Sequence, residues 1–327
     1  MMTSKASTAV FRATTATRMT SREPLLIVMA GPTASGKTAL AITLATHFQT
    51  EIISADSRQF YREMTIGTAV PSEVELACIK HHFVQHISIH DPYNVSRYET
   101  DALKTLESLF QRKQVVIMVG GSGLYIDAVC RGIDELPDPD PELRRELKQE
   151  LADNGIQCLR DKLRIVDPDY YQMVDAANPV RLIRALEVCI TTGKPFSSLR
   201  NQRPEKRPFR ILKIGLSLPR DLLNQRIHQR VDEMVRNGLV EEARALLPFR
   251  RLNALNTVGY RELFDFFDGK ISLQQAIADI KTHTRRYAKR QMTWFKKDEE
   301  ITWFSPENSE KVIGYLEEML NWSGGPA

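Results

Sequence analysis

Eight residues near the start of the chain have the types and spacing that phosphate chemistry requires. They read G-x-x-x-x-G-K-T, a motif in which the glycines let the backbone approach a phosphate, the lysine supplies charge and the threonine hydroxyl can hold Mg²⁺. An apolar run (residues 25–29) precedes them, and residues 39–45 have helical spacing. Strand, glycine-rich turn and helix direct backbone N–H groups at an anion. The sequence therefore predicts a phosphate site, the P-loop, formed by Gly31, Pro32, Thr33, Ala34, Ser35, Gly36, Lys37 and Thr38.

Asp56 is the first candidate for a second catalytic group. Residues 51–56 have the pattern of a buried strand that ends in this acid. Ligand-facing groups in open α/β sheets lie at the carboxyl ends of strands, so we expect Asp56 to face the same crevice as the P-loop. The alternative is that Asp56 caps a helix over residues 57–63.

The third predicted strand, residues 115–119, ends in a turn and not in an acid. The residues that follow are Gly120, Gly121 and Ser122. ATP-hydrolysing P-loop proteins usually carry an aspartate there to hold Mg²⁺. The sequence therefore argues against a nucleotide-hydrolysing motor.

The order of predicted strands and helices around the P-loop and Asp56 indicates an α/β fold. Further strands are expected over residues 209–216 and 301–304, and helices over 98–111, 220–247 and from 257 onward. Residues 142–200 contain helical patterns only, at 142–154, 156–166, 170–174 and 179–192. We predict a P-loop NTPase-like core with a parallel sheet flanked by helices, formed by residues 23–132 and 207–327. An all-helical insertion domain is expected over residues 133–206. A disordered tail is expected over residues 1–22, with a mitochondrial-type transit peptide or a misassigned start codon as the alternatives.

Composition excludes several classes of protein. The 327 residues are 42% hydrophobic and 26% charged, which is ordinary for a globular chain. No apolar run approaches the roughly 20 residues of a membrane span, so no membrane partner is expected. The four cysteines form no C-x-x-C pair, which argues against a zinc or disulfide framework and fits a reducing compartment. A net charge of +4 confines any nucleic-acid surface to a local patch.

The most basic stretch is residues 281–297. It contains seven basic residues, no acid, and three interleaved aromatic residues, Tyr287, Trp294 and Phe295. Such a helix suits a phosphate backbone and stacked bases. An equally good interpretation is a solvated helix that packs by its aromatic face.

Two other clusters favour ordinary structural interpretations. Arg181 and Arg184 lie one helical turn apart, which by itself indicates a solvated helix face. The histidines between His81 and His90 match no metal-ligand spacing, and the alternation over residues 83–89 predicts a strand.

With these motifs described, the chain resembles the tRNA dimethylallyltransferase family. The resemblance covers about residues 25–304 and rests on Gly31-Pro32-Thr33-Ala34-Ser35-Gly36-Lys37-Thr38, Ala55-Asp56-Ser57 with Tyr61, Ile66-Gly67-Thr68-Ala69, Gly120-Gly121-Ser122-Gly123-Leu124-Tyr125, Arg181-Leu182-Ile183-Arg184-Ala185-Leu186-Glu187, Thr192-Gly193-Lys194-Pro195, Val258-Gly259-Tyr260-Arg261 and Arg285-Arg286-Tyr287-Ala288-Lys289-Arg290-Gln291. Two positions differ from the family pattern. Asn178 stands where family members commonly have aspartate, and Arg58-Gln59 stands where many bacterial members have a small and an apolar residue.

The resemblance implies transfer of a dimethylallyl group from dimethylallyl diphosphate to N6 of adenosine 37, beside the anticodon of tRNAs that read codons beginning with U. The P-loop would hold the diphosphate leaving group, with Mg²⁺ on Thr38. The catalytic residues implied are Asp56, as the acceptor of the N6 proton, with Thr38 and Arg230.

The same resemblance implies the partners and the surface that binds them. The insertion and the basic helix would grip a tRNA anticodon stem-loop, and the expected contacts are Asp56, Ser57, Arg58, Gln59, Ser122, Arg144, Val180, Arg181, Leu182, Ile183, Arg184, Asn256, Thr257, Val258, Gly259, Tyr260 and Arg261. The Cys/His zinc-finger tail of many eukaryotic relatives is absent, which favours a bacterial, cytoplasmic enzyme. A monomer is expected.

Other functions remain open on the sequence alone. A small-molecule kinase uses the same P-loop, and an adenylate isopentenyltransferase carries out the same chemistry on a free nucleotide. The helical insertion and the basic aromatic helix would have no purpose in the first, and the long insertion is usually missing from the second. A non-catalytic RNA-binding protein would not need Lys37 and Asp56 at one crevice.

Overall fold

A parallel sheet forms the centre of the molecule. The computed structural model describes residues 23–134, 136–200 and 205–321. Within these ranges there are six strands: β1 (Leu25–Ala30), β2 (Ile52–Ser54), β3 (His81–His82), β4 (Val115–Val119), β5 (Arg210–Leu216) and β6 (Thr302–Phe304). They lie in the order β3-β2-β4-β1-β5-β6, with each neighbouring pair parallel. β1 and β4 are aliphatic along almost their whole length because both faces of a parallel sheet are buried.

Thirteen α-helices of the described ranges surround or extend this sheet. In chain order they are α1 (Lys37–His47), α2 (Glu73–Cys78), α3 (Val95–Phe110), α4 (Gly123–Arg131), α5 (Pro141–Asn154), α6 (Ile156–Val166), α7 (Pro168–Met173), α8 (Pro179–Thr192), α9 (Arg220–Arg236), α10 (Leu239–Leu246), α11 (Tyr260–Phe267), α12 (Leu273–Phe295) and α13 (Ser309–Asn321). The predicted fold class, a P-loop NTPase-like sheet flanked by helices with a helical insertion, is confirmed.

The two faces of the sheet carry separate layers of the core. Leu26, Val28 and Met118 face α3 and α4. Alternate residues, such as Ile27 and Ile117, face α1 and α13. A third apolar cluster joins α9, α10, α11 and α12 beyond the sheet. These helices therefore form a wall beside the carboxyl ends of the strands.

Helices α5 to α8 have a hydrophobic core of their own. Leu147, Leu159, Leu163 and Leu182 are buried there together. α5 and α8 both begin with a capping residue followed by proline, a favoured helix start. At α8 the cap is Asn178, whose Oδ1 accepts hydrogen bonds from the backbone N–H groups of residues 180 and 181. The asparagine at this position is therefore a sound helix cap.

The strand predicted over residues 83–89 is wrong. β3 ends at His82, and Ile87 makes only an isolated bridge to Tyr61. Phe83 and Gln85 have φ angles of 62° and 50°, in the left-handed region that ends a strand. The histidines of this segment therefore do not form a continuous edge strand.

The remaining sequence expectations concern residues 57–63, the cysteines, membrane spans and the tail. Residues 57–63 form turns, so Asp56 does not cap a helix. The four cysteines are free. No helix in the described ranges is long and apolar enough to cross a bilayer. The tail predicted over residues 1–22 lies outside the described residues.

Candidate active site

The P-loop connects β1 to α1 and forms one end of a large crevice. Gly31 has φ +144°, and a Cβ there would lie 2.9 Å from the backbone oxygen of Leu216; Gly36 has φ +91°. Only glycine fits such a backbone without strain. No side chain of the described residues caps α1, so the N–H groups of its first turn are available to an anion.

One side chain of the P-loop, that of Ser35, supports binding of a phosphate. The Ser35 hydroxyl is buried and has no hydrogen-bond partner within the described ranges. Buried polar groups without a partner are costly, so this hydroxyl is well suited to donate to a ligand oxygen. The Thr33 and Ser35 backbone N–H groups are already bonded, to Gln291 Oε1 and to the oxygen of Pro32. The N–H groups of Thr33 and Ser35 are therefore engaged within the protein, whereas those at the start of α1 remain available to a phosphate.

Lys37, Asp56 and Arg230 bring three charges together in the crevice. Burial lowers the pKa of Lys37 to about 7; the Asp56 carboxylate partly opposes this and the Arg230 charge adds to it. Burial likewise lowers the pKa of Arg230, and Asp56 again opposes the shift. The Lys37 ammonium donates to the Pro32 oxygen at 2.6 Å. A bound polyanion would relieve the repulsion between the two cations.

Asp56 is held by its own turn at the end of β2. Its Oδ1 accepts from the Arg58 backbone N–H at 3.1 Å, and its N–H donates to the Ser54 hydroxyl at 3.4 Å. The next residue, Ser57, donates its N–H to the Ser122 hydroxyl at 3.1 Å. These contacts fix the carboxylate in the crevice and leave Oδ2 available to a substrate.

The crevice between these groups has a volume of about 850 Å³. Its walls are the P-loop, the ends of β2 and β4, residues 67–71, helix α9, the start of α11, and α12. Met234 of α9 and Val258 supply apolar surface, and Tyr287 and Arg290 of α12 supply polar surface. Burial and the nearby Asp56 raise the pKa of Tyr287 to about 12, so this phenol remains a hydrogen-bond donor at neutral pH.

Most of the predicted site residues meet at this crevice. Its lining includes Thr33, Ala34, Ser35, Gly36, Lys37, Thr38, Asp56, Ser57, Arg58, Gln59, Arg230, Asn256, Thr257, Val258, Gly259 and Arg261. Gly31 and Pro32 are buried beneath it, and Ser122 reaches it through its bond to Ser57. Arg58 and Gln59 are occupied within the protein: Arg58 donates to the backbone oxygens of Asn253 and Ala254, and Gln59 to those of Thr68 and Ala69.

Tyr260 is buried, contrary to the surface position that a tRNA contact requires. It is 0% exposed, and its hydroxyl donates to Glu242 Oε1 at 2.7 Å. Glu242 also accepts the backbone N–H groups of Thr65, Ile66 and Gly67. Tyr260 and Glu242 therefore hold the loop that leads into residues 67–71 of the crevice. The sequence offered no signal for Glu242.

The predicted contacts in the insertion lie apart from the crevice. Leu182 and Ile183 are buried in the insertion core, so their side chains are not available to a tRNA surface. Arg144 forms a two-pronged ion pair with the buried Glu187, and Arg184 donates to the Pro137 oxygen at 2.8 Å. Val180 and Arg181 are exposed and remain predicted contacts.

The three aromatic residues of the basic helix differ in their surroundings. Phe295 is buried in the core, and the Trp294 indole donates to Asp127 at 2.9 Å. On the same helix, Arg286, Lys289 and Arg290 are exposed. The structure therefore combines both interpretations of this segment: Phe295 packs into the core, whereas the basic residues and part of the Trp294 side chain are exposed and Tyr287 lines the crevice.

Two lining residues were not assigned a role from the sequence. Gln291 bonds to the P-loop and to Gly121. His81 uses Nδ1 to donate to the Ile79 oxygen at 2.8 Å, which leaves a buried Nε2 without a partner in the described ranges. Gln291 is the last residue of the family motif at residues 285–291, and this membership was the only indication in the sequence that it has a role.

The crevice could bind Mg²⁺ only if a bound phosphate supplied some of the ligand atoms. In the described ranges no group of three or more His, Cys, Asp or Glu side chains could hold a metal ion. Mg²⁺ in phosphate-transfer sites keeps water and phosphate ligands and uses few protein atoms. The Thr38 hydroxyl at the start of α1, which lines the crevice beside Lys37, would be such a protein atom.

Fold and site together define a P-loop α/β protein with a phosphate-binding crevice, an acid at the end of β2 and an adjoining basic helix. A family model described as IPP transferase matches residues 59–298. The chain is 58% identical to the tRNA dimethylallyltransferase of Christiangramia forsetii, over 90% of this chain and 98% of the relative. It is 48% identical to tRNA dimethylallyltransferase 1 of Bacteroides thetaiotaomicron, over 90% and 95%. The chain therefore belongs to the IPP transferase family.

Solved structures agree with this assignment. The full-length tRNA isopentenylpyrophosphate transferase of Bacillus halodurans superposes with a TM-score of 0.67 at 34% identity, covering 91% of this chain and 97% of that one. A eukaryotic dimethylallyltransferase acting on tRNA superposes with a TM-score of 0.76 at 26% identity, covering 91% and 79%.

Proposed function

We propose that this protein transfers the dimethylallyl group of dimethylallyl diphosphate to N6 of adenosine 37 in the anticodon loop of tRNA. The observation that carries this proposal is the convergence of Lys37, Arg230 and Asp56 on one crevice that opens beside a basic helix. A phosphate-binding end and a carboxylate-bearing end are what a diphosphate leaving group and an amine nucleophile need. The curated relatives that match along nearly their whole length carry the same activity in their names.

The P-loop side of the crevice would stabilise the leaving group. As the allylic C–O bond breaks, negative charge grows on the diphosphate. Lys37, Arg230, the Ser35 hydroxyl and the N–H groups at the start of α1 are directed at that charge, which lowers the barrier because the donors are already in place. Mg²⁺, held by Thr38, would add positive charge to the same oxygens. Met234 and Val258 would give the prenyl chain an apolar wall.

Asp56 would accept the proton that the N6 nucleophile loses. The N6 lone pair forms the new C–N bond at the allylic carbon, and the N6 proton passes to the Asp56 carboxylate. A positioned acid or base of this kind contributes about 10²- to 10⁴-fold to a rate. The target base must leave its stack to enter the crevice, which costs least in a single-stranded loop.

The tRNA would be held outside the crevice by the exposed basic residues of α12, with Val180 and Arg181 of the insertion. Phosphate contacts of this type give affinity that falls with salt. We further propose that the enzyme acts as a monomer in the cytoplasm, where its tRNA substrate is found; the four free cysteines are consistent with this.

The experiment is a donor comparison. Purified protein is incubated with total tRNA and either dimethylallyl diphosphate labelled in the prenyl group or ATP labelled in the γ-phosphate. We expect acid-stable prenyl label on the tRNA and no transfer from ATP. Transfer of γ-phosphate to a small molecule would indicate a kinase, and prenylation of free AMP but not of tRNA would indicate an adenylate isopentenyltransferase.

A further inference from the structure

Gln291 is a buried polar residue that the mechanism above does not use. It lies near the C-terminal end of α12 and is 5% exposed. Its Oε1 accepts the backbone N–H of Thr33 at 2.9 Å, and its Nε2 donates to the backbone oxygen of Gly121 at 2.9 Å. One side-chain amide thus joins the P-loop to the turn after β4.

That turn is tightly enclosed on both sides. A Cβ on Gly121 would lie 2.2 Å from Gln291 Nε2, and a Cβ on Gly120 would lie 2.3 Å from the Ala55 oxygen. Ser122 continues the turn and accepts the Ser57 N–H with its hydroxyl. The turn therefore fills the space between Gln291 and the segment that carries Asp56.

These contacts form a continuous connection from the phosphate loop to the carboxylate: Thr33 to Gln291, Gln291 to Gly121, and Ser122 to Ser57, which adjoins Asp56. We propose that Gln291 is a positioning residue that sets the separation between the diphosphate cradle and Asp56. This proposal rests on the proposed function, because it concerns the distance between the two reacting ends of that site.

The chemistry of the two contacts requires an amide. The Thr33 N–H needs an acceptor and the Gly121 oxygen needs a donor, and glutamine offers one of each. Methionine has a similar length but provides neither a strong donor nor a strong acceptor. An ionised glutamate offers only acceptors, so it repels the Gly121 oxygen; a protonated glutamate again offers one donor and one acceptor.

The test uses the full chain and three variants: Gln291→Met, Gln291→Glu and, as a matched control, Gln274→Met at an exposed position of the same helix. Prenyl transfer to tRNA gives kcat and KM for dimethylallyl diphosphate, and filter binding gives the Kd for tRNA. A shift of about 1 Å between reacting groups costs on the order of 10²-fold. We expect Gln291→Met to lower kcat about 10- to 100-fold, with the tRNA Kd within about twofold of wild type and Gln274→Met unchanged.

The Gln291→Glu variant distinguishes a positioning role of residue 291 from a general loss of folded protein. We expect its activity relative to wild type to rise as the pH falls from about 8 towards 5, because protonation restores the missing donor. Lys37, Asp56 and Arg230 face the same crevice in both proteins, so the ratio at each pH isolates the substituted side chain. A wild-type kcat in Gln291→Met, or a flat ratio in Gln291→Glu, would overturn the proposal. Absence of prenyl transfer in the wild type would instead refute the proposed function.

Discussion

The sharpest prediction on stability concerns Glu242. Its Oε2 accepts the N–H groups of Thr65 and Ile66 at 2.9 and 2.8 Å, and its Oε1 accepts the Gly67 N–H at 2.9 Å and the Tyr260 hydroxyl at 2.7 Å. In Glu242→Gln one oxygen becomes an NH₂ group, and this group fits best at the Oε1 position because the Tyr260 hydroxyl can rotate to accept from it. The Gly67 N–H then loses its acceptor, and the loss of a hydrogen bond to a charged group costs at least about 1.5 kcal/mol. We expect the free energy of unfolding to fall by about 1.5–3 kcal/mol.

The assay is equilibrium unfolding in urea, with Glu241→Gln as the control on the exposed side of the same helix. The control should lie within about 0.5 kcal/mol of wild type. Because residues 67–71 line the crevice, Glu242→Gln should also raise KM for the substrates. Equal unfolding free energies for the two variants would refute the view that Glu242 holds this loop.

Three other predictions follow from the described contacts. Burial lowers the pKa of Lys37 to about 7, so its ammonium form is lost above that pH. Calorimetry should therefore show the Kd for dimethylallyl diphosphate rising about tenfold between about pH 8 and 9. Lys37→Arg should abolish this pH dependence. Leu182→Ala should lower the free energy of unfolding by about 2–5 kcal/mol, whereas the exposed Val180→Ala should have little effect on urea unfolding. Arg181→Ala should weaken tRNA binding and reduce the salt slope of log K by about one, as measured by filter binding at several salt concentrations.

The sequence predicted the P-loop and its relation to Asp56 because both follow from local rules. The spacing of Gly31, Gly36 and Lys37 determines the loop, and the rule that ligands lie at the carboxyl ends of parallel strands places Asp56 opposite it. The order of the elements likewise predicted the fold class, since buried parallel strands and amphipathic helices have distinct apolar patterns.

Other features could not be predicted because they depend on backbone angles or on distant partners. Alternating apolar residues cannot reveal that Phe83 and Gln85 have positive φ angles. Gln291 meets Thr33 across 258 residues, a distance that no local pattern spans. Family motifs located Leu182 and Tyr260 near functional segments, but a motif does not say which of its members face the core. The helical spacing of Leu182 with Leu186 was the available clue that Leu182 is buried.

The most direct test of the central claim is a single-turnover measurement with an anticodon stem-loop RNA and labelled dimethylallyl diphosphate. Wild type is compared with Asp56→Asn and with Asp221→Asn, an exposed aspartate in the first turn of α9. We predict that Asp56→Asn lowers the rate of N6 prenylation about 10²- to 10⁴-fold, with RNA binding within about twofold of wild type and Asp221→Asn unchanged. A wild-type rate of prenylation in Asp56→Asn would contradict the account.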